Sequence, residues 1–481
     1  MGESSDKPER ARGVGRARLG AWLGAWAALL LASPAAWGQC SARESAALMP
    51  GDAQAFDTFG QAVDVSGEVA LIGAPGEDDI QINSGAVYLF EADPGGRWTQ
   101  TLRLKASDPV ASARFGSAVA IDGTTLVVGA PGDTRLGAGS GSARVFEQIG
   151  GTWVQTATLL ATDGGEMDSL GLSVSVSGDT IIAGAYFDDD MGLDAGAAYV
   201  FVRDAGGWVQ QGKLLAADGA AEDWFGWSVS IDGDWAVVGA FQDDDDGERS
   251  GSAYVFHRSG TTWSQFAKLN ASDARGSDQF GVSVSISGQT LVVGSWRDDD
   301  FGDASGSAYV FERLGSVWLE RSKLLPDVGA PHDVFGRSVA IDGDLILVGA
   351  NGADAAGVDS GAAYVYQRQG GEWAQQARLI AGDTAGGDQL GVSTAVDAGT
   401  LALGAWLKSA ADTSAGAAYL FDAGCRCPAD IDGDGDADVA DFFAFVTAFA
   451  TGDPAADLDG DGSIDVGDFF AFVAAFAVGC G

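Results

Sequence analysis

Histidine is almost missing from this 481-residue chain, which has only His257 and His332. A general base working near neutral pH is most often histidine. No nucleophile elbow, zinc spacing or phosphate loop occurs either, so chemistries that rest on those motifs find little support. Basic residues are scarce as well: 27 Lys and Arg stand against 68 Asp and Glu, for a formal net charge of −41. A chain this acidic repels phosphate backbones and anionic lipid, which argues against nucleic acid and membrane surfaces as partners. Past residue 32 no apolar run is long enough to span a bilayer, and no helical periodicity appears before residue 425. The four cysteines, Cys40, Cys425, Cys427 and Cys480, all lie near the ends of the chain.

What the chain has in abundance is glycine, 72 residues, and much of it keeps time. Phe-Gly or Leu-Gly recurs at Phe59, Phe115, Leu170, Phe225, Phe280, Phe335 and Leu390, one step of 56 residues followed by five of 55. A fixed period of this length signals a repeat architecture. Within each period the pair is followed by an alternating apolar run, Gly-Ala or Gly-Ser, an acidic or Gly-rich loop, and a segment such as Gly251-Ser-Ala-Tyr254-Val-Phe256. Six periods then add a tryptophan: Trp98, Trp153, Trp208, Trp263, Trp318 and Trp373. Period-2 alternation bounded by Gly and Asp reads as four short strands per unit. Seven such units predict an all-β, seven-bladed propeller over residues 41–424.

These motifs resemble the FG-GAP repeats of integrin α-chain propellers and their bacterial relatives. Members of that group that bind calcium in the blades carry an Asp-rich loop between the first two strands. Here that connection is only Ser66-Gly67, Asp122-Gly123 and their counterparts, so blade calcium is not expected. The seventh unit lacks its tryptophan strand. Counting offsets assigns the missing strand to the amino terminus, where Ala47-Leu48-Met49 falls in the slot of Lys213-Leu214-Leu215. By the same count Cys40 and Cys425 become neighbours in the turn this splice lacks, and Cys427 and Cys480 bracket the last segment. Cys40 with Cys427 is the competing pairing, since four cysteines permit three connectivities. Any of them needs an oxidising compartment.

Residues 1–38 read as a secretory signal peptide: Arg12, Arg16 and Arg18 precede an apolar stretch from Leu19 to Ala32, with Ala36-Trp37-Gly38 at the expected cleavage site. Removing five basic and three acidic side chains with it shifts the formal charge from −41 to −43. The expected location is therefore secreted or cell-surface associated.

The last segment, residues 425–481, carries two twelve-residue acidic loops of EF-hand type. The first offers Asp430, Asp432, Asp434, Asp436, Asp438 and Asp441; the second offers Asp457, Asp459, Asp461, Ser463, Asp465 and Asp468. Carboxylates at positions 1, 3, 5 and 12 converge on a hard cation, and the glycine at position 6 makes the sharp turn. Two calcium ions are expected, one per loop. Each loop runs into Asp-Phe-Phe-Ala-Phe, which predicts a helix with Phe445 and Phe449, or Phe472 and Phe476, on one face. Paired loop-helix units near the carboxyl end of a secreted chain resemble dockerin domains. That resemblance implies attachment to a cohesin-like or other surface docking protein. Positions 10 and 11, often Ser-Thr in cellulosomal dockerins, are Val439-Ala440 and Val466-Gly467.

In the propeller, connections from strand two to three and from strand four to the next blade should share one rim. The slot after Gly-Ala or Gly-Ser on that rim holds Tyr186, Phe241, Trp296 and Trp406, close in sequence to Asp188-Asp189-Asp190, Asp243 to Asp246 and Asp298-Asp299-Asp300. Aromatic faces beside carboxylates suit a glycan or a protein ligand. The sequence thus predicts a non-catalytic binding or adhesion propeller, with a polysaccharide-active glycosidase or lyase that uses two carboxylates as the alternative.

Overall fold

Each Val/Ile/Leu-rich run folds as expected of a half-buried strand, and the glycines between them close the hairpins. The computed structural model describes residues 42–409, 412–424, 431, 439–451, 456, 458, 464 and 466–478. Twenty-eight strands form seven antiparallel four-stranded sheets. Blade 4 is representative: Ser228–Asp232, Trp235–Ala240, Ser252–Ser259 and Thr262–Leu269 pair in sequence order. The strand two to three ladder is the most buried part of the blade, and the outer strand alternates between exposed and half-buried residues.

The splice predicted from the offsets is present. The first strand, β1 (Arg43–Leu48), completes the last blade by pairing antiparallel with Ala417–Asp422, and Ala47 stands opposite Tyr419 as Lys213 stands opposite Tyr199. It even reproduces the bulge of the other outer strands, with the register slipping between Glu44 and Ala46. Closing the ring this way removes the unpaired edge that an open propeller would expose.

The repeating Phe-Gly is a joint between blades. Gly116 adopts φ +96°, a region closed to most side chains, and a Cβ there would lie 2.5 Å from the carbonyl oxygen of Ala86. The Gly of Gly-Ala is held by the next blade instead: a Cβ on Gly129 would lie 1.8 Å from the oxygen of Gly171. The phenylalanine packs edge-on against its own blade, as Phe225 does against Tyr254 and Phe256 at 5.4 and 5.9 Å. The core is accordingly spread between blades and has no single centre; one cluster joins Leu48, Phe59 and Tyr88 to Leu420 across the chain ends.

On the rim of the strand one to two turns, a side chain of each blade accepts the backbone N–H of a turn residue in the next. The ring runs Ser66 to Gly123, Asp122 to Gly178, Ser177 to Gly233, Asp232 to Gly288, Ser287 to Gly343, Asp342 to Ala398, and Asp397 back to Gly67.

Two short helices, α1 (Val439–Thr451) and α2 (Val466–Val478), follow the propeller in the chain. Phe445 stacks on Phe472 with centroids 4.3 Å apart and planes 9° from parallel, flanked by Phe449 and Phe476. The residues expected to face inward do so. The expected leader and the four cysteines with their pairings lie outside the described residues, as do Asp430, Asp432, Asp434, Asp436, Asp438, Asp457, Asp459, Asp461, Ser463 and Asp465. Among the described residues no helix is long and apolar enough to cross a membrane.

Candidate functional site

The elaborate rim is built from the strand two to three loops and the connections that enter each blade, which meet at a parallel bridge such as Gly251 with Phe280. At the meeting point in six blades a cation from the chain is held by carboxylates, drawn from both loops in five blades and from the entering connection alone in blade 7. In blade 3 Lys213 donates to Asp163, Asp188 and Asp190 at 3.1, 2.8 and 2.6 Å. In blade 5 Lys323 stands 2.7, 2.8 and 2.7 Å from Asp273, Asp298 and Asp300. Lys268 does the same with Asp218, Asp243 and Asp245, and Arg103 with Asp52, Glu77 and Asp79.

Two blades keep the arrangement with the cation supplied from elsewhere. In blade 2 the outer strand has Thr158, and the charge comes from Arg144 on the third strand, bonded to Asp108 and Asp133. In blade 7, where the spliced strand offers only Ala47, Lys408 in the loop reaches Asp388 and Asp383 at 2.9 and 3.4 Å.

Burial opposes charge on Lys213, but the hydrogen bonds it donates to Asp188, Asp190 and Asp163 carry its pKa above the ordinary lysine value. Burial likewise works to raise Asp163, and Lys213 and Tyr199 hold it below the usual carboxylate range. Tyr199 itself is pushed up by burial and by Asp188, to which its hydroxyl donates at 2.8 Å.

The acidic runs are therefore not an open negative display. The first acid of each is buried, with Asp188, Asp243 and Asp298 at 3%, 3% and 4% exposed, and its charge is spent inside the blade. Asp273, Asp298 and Asp300 bring oxygens within 4.8 Å of one another, a spacing a cation could use, but the Lys323 ammonium already bonds all three.

A second set of acids braces the loop before six of the seven Phe-Gly or Leu-Gly pairs, with Ala113 in that place in blade 2. Asp57, Asp223 and Asp278 each accept the N–H of the residue three earlier and are pushed up to about 6, chiefly by burial. The next residue takes a left-handed conformation in every blade: Thr58, Arg114, Ser169, Trp224, Gln279, Val334 and Gln389 have φ between 52° and 59°. That conformation is uncommon outside glycine.

These left-handed positions contact the predicted aromatic slots. Tyr186 is half-buried, its hydroxyl pushed up to about 12 by burial, and packs on Trp224 and Trp227 at 5.7 and 5.2 Å. Phe241 is buried against the same two rings, at 5.4 and 4.9 Å. With Phe187 they form one aromatic cluster across blades 3 and 4. Trp296 donates to Gln279 at 2.5 Å and carries the Arg337 guanidinium 5.1 Å from its ring, while Trp406 donates to Gln389 at 2.7 Å. Of the four predicted residues, only Tyr186 and Phe241 are brought together. Trp224 and Trp227 escaped the sequence reading, although both flank the fourth Phe-Gly.

Neither histidine joins this rim cluster. His257 lies against Trp235, centroids 4.3 Å apart, and His332 is exposed, 4.0 Å from Asp303.

In the helical segment Asp441 and Asp468, position 12 of the two loops, are buried and accept the N–H of Ile431 and Leu458, each at 2.7 Å. The outer faces are apolar: Val439, Phe443, Val466 and Phe470 are 65%, 63%, 64% and 65% exposed.

No curated protein matches the chain. A solved protein from Lactobacillus plantarum aligns at a TM-score of 0.44 with 14% identity, covering 69% of this chain and 86% of that one, a likeness too slight to argue from. The FG-GAP repeat profile matches seven times, at residues 42–90, 98–146, 153–201, 208–256, 263–311, 318–366 and 373–421. Those matches take in most of the sequence and all seven blades, so the chain belongs to the FG-GAP repeat family.

Proposed function

We propose that this is an extracellular, non-catalytic binding propeller that takes a glycan or protein ligand on its elaborate rim and docks to a surface assembly through its carboxyl-terminal segment. The observation that carries the first half is the Tyr186–Trp224–Trp227–Phe241 cluster, partly exposed on the rim. Exposed aromatic faces are what a sugar ring or an aromatic side chain packs against. Trp224→Ala with Trp227→Ala should abolish retention on a glycan array while the strand content stays intact; retention unchanged would end this reading.

Docking rests on the two acidic loops and the exposed apolar helix faces, larger than scattered surface residues require. Asp430, Asp432, Asp434 and Asp441, and Asp457, Asp459, Asp461 and Asp468, are the oxygen donors that would hold two calcium ions, with Asp436, Asp438, Ser463 and Asp465 completing the loops. The set fits a hard cation, being all oxygen, and the matching bonds from Asp441 and Asp468 back to the second loop position close both loops alike. Calcium would supply the positive charge that lets these carboxylates stand together. A cohesin-like partner should be retained with calcium and released by chelator.

A glycosidase would need two carboxylates set apart from the rest. Asp223 at about 6 has the acidity of a general acid, but Asp57 and Asp278 repeat it in other blades, which favours a framework role. A turnover screen on neutral and acidic polysaccharides tests this alternative directly.

A further inference from the structure

Blade 6 keeps the internal cation and has lost every acid that should hold it. Arg378 stands opposite Tyr364 in the register that Lys213, Lys268 and Lys323 occupy opposite Tyr199, Tyr254 and Tyr309. Counting in steps of 55 from Asp273, Asp298 and Asp300 reaches Val328, Ala353 and Ala355. The Tyr364 hydroxyl, deprived of a carboxylate, donates to the backbone oxygen of Val328 at 3.2 Å. The guanidinium lies 5.6 Å from the Tyr364 ring centroid, and its Nε is buried with no hydrogen-bond partner. Among the described residues Arg378 forms no ion pair with any carboxylate, in contrast to the cation of every other blade.

A half-buried guanidinium with an unmet donor is unfavourable unless something accepts from it. In the other blades the acceptor is always a carboxylate supplied by the chain. We infer that in blade 6 the carboxylate comes from outside, and that Arg378, with the Tyr364 ring beneath it, is a binding site for a carboxylate-bearing ligand such as a uronic acid residue. The planar fork of arginine matches a carboxylate two bonds at a time, which a lysine could not do. Ala353 in place of an aspartate frees the volume of the missing internal carboxylate. Asp333, whose charge the Arg378 guanidinium favours, accepts the N–H of Ala330 at 2.8 Å and forms no ion pair with the guanidinium. The site gives the rim a preference for acidic ligands that its aromatic cluster alone would not confer. It is separate from that cluster, so each can fail without the other.

The test uses the full-length protein and galacturonate as probe, with galactose as the neutral control and N-acetylglutamate to separate a sugar acid from a peptide acid. Binding is read by calorimetry and by the Nε–H NMR signal of Arg378, assigned by its loss in Arg378→Met. Galacturonate should bind and shift that signal, and galactose should leave it unmoved. Ala353→Asp rebuilds the internal acid that other blades already tolerate. It should weaken galacturonate at least roughly tenfold, the worth of one charge-assisted contact. Equal binding by the wild type and Ala353→Asp, or no shift of the Arg378 signal at any galacturonate concentration, would overturn the assignment. Tighter binding of N-acetylglutamate than of galacturonate would keep the carboxylate site and overturn the sugar as its source.

Discussion

Replacing Lys323 with methionine isolates what one internal cation contributes. The side chain is 18% exposed and its ammonium bonds Asp273, Asp298 and Asp300, which are 46%, 6% and 33% exposed. Methionine keeps most of the stem volume, so packing is largely conserved and the change is electrostatic. Removing one partner of a fully buried pair costs about 3–5 kcal/mol because the other charge is left unsatisfied. Only Asp298 is stranded that deeply, and water screens the other two, which lowers the expected cost to about 2–3 kcal/mol. Urea unfolding at pH 7 of the wild type and Lys323→Met, followed by tryptophan fluorescence, measures it. The double variant Lys323→Met, Asp298→Asn should recover more than half of the loss, because the stranded charge goes with it. A single-variant cost below about 0.5 kcal/mol would show that the cluster is an ordinary exposed ion pair and would refute the argument that these acids are internally spent.

The acids raised by burial set a pH response. Asp57, Asp223 and Asp278, at about 6 when folded, bind protons more readily in the folded chain, so their destabilisation is relieved as pH falls from 7 through 6. Asp163, Asp218 and Asp273 are lowered in the folded state and contribute stability above the ordinary value of 3.8 that is lost as pH falls below it. Urea midpoints should therefore be higher at pH 5.5 than at 7.5 and drop by pH 3, with Asp223→Asn flattening part of the first change. Gly129→Ala, whose Cβ would meet the Gly171 oxygen at 1.8 Å, should cost about 3 kcal/mol or more and be visible as a lowered melting temperature. Truncation through Met49 removes β1 and bares the edge of Ala417–Asp422, which should shift the protein to larger self-associating species than the full chain forms on size-exclusion chromatography. Helix content of the full chain should fall by the contribution of α1 and α2 when calcium is chelated, read as the change in circular dichroism at 222 nm.

The ring was legible in the sequence because its determinants are local and recur. A Gly needed at a left-handed joint cannot be replaced cheaply, so Phe-Gly repeats at every blade, and a missing tryptophan was enough to locate the spliced strand. The rim was only half legible. The slot aromatics could be placed by offset, but whether their neighbours were acids or other aromatics depended on which side chains the left-handed residues project. That is how Trp224 and Trp227 escaped notice and Trp296 and Trp406 turned out to be tied to glutamines. The acidic loops misled for a related reason. Charge is read one residue at a time along the sequence, whereas Asp163 and Asp188 meet Lys213 only once strand four has folded back across the blade.

The seven bonds that link the strand one to two turns are of two kinds that take turns around the ring. Aspartate acceptors lie at 2.6 to 2.9 Å and serine acceptors at 3.1 to 3.2 Å. Seven is odd, so strict alternation cannot close, and two aspartates, Asp342 and Asp397, must fall side by side. The surplus strong bond joins Asp397 to Gly67, residues 330 positions apart, at the seam between the last blade and the first. Under tension or heat such a hoop should part first at a serine seam, where the strand-four connection on the opposite rim still tethers the neighbouring blades and can draw the gap shut again.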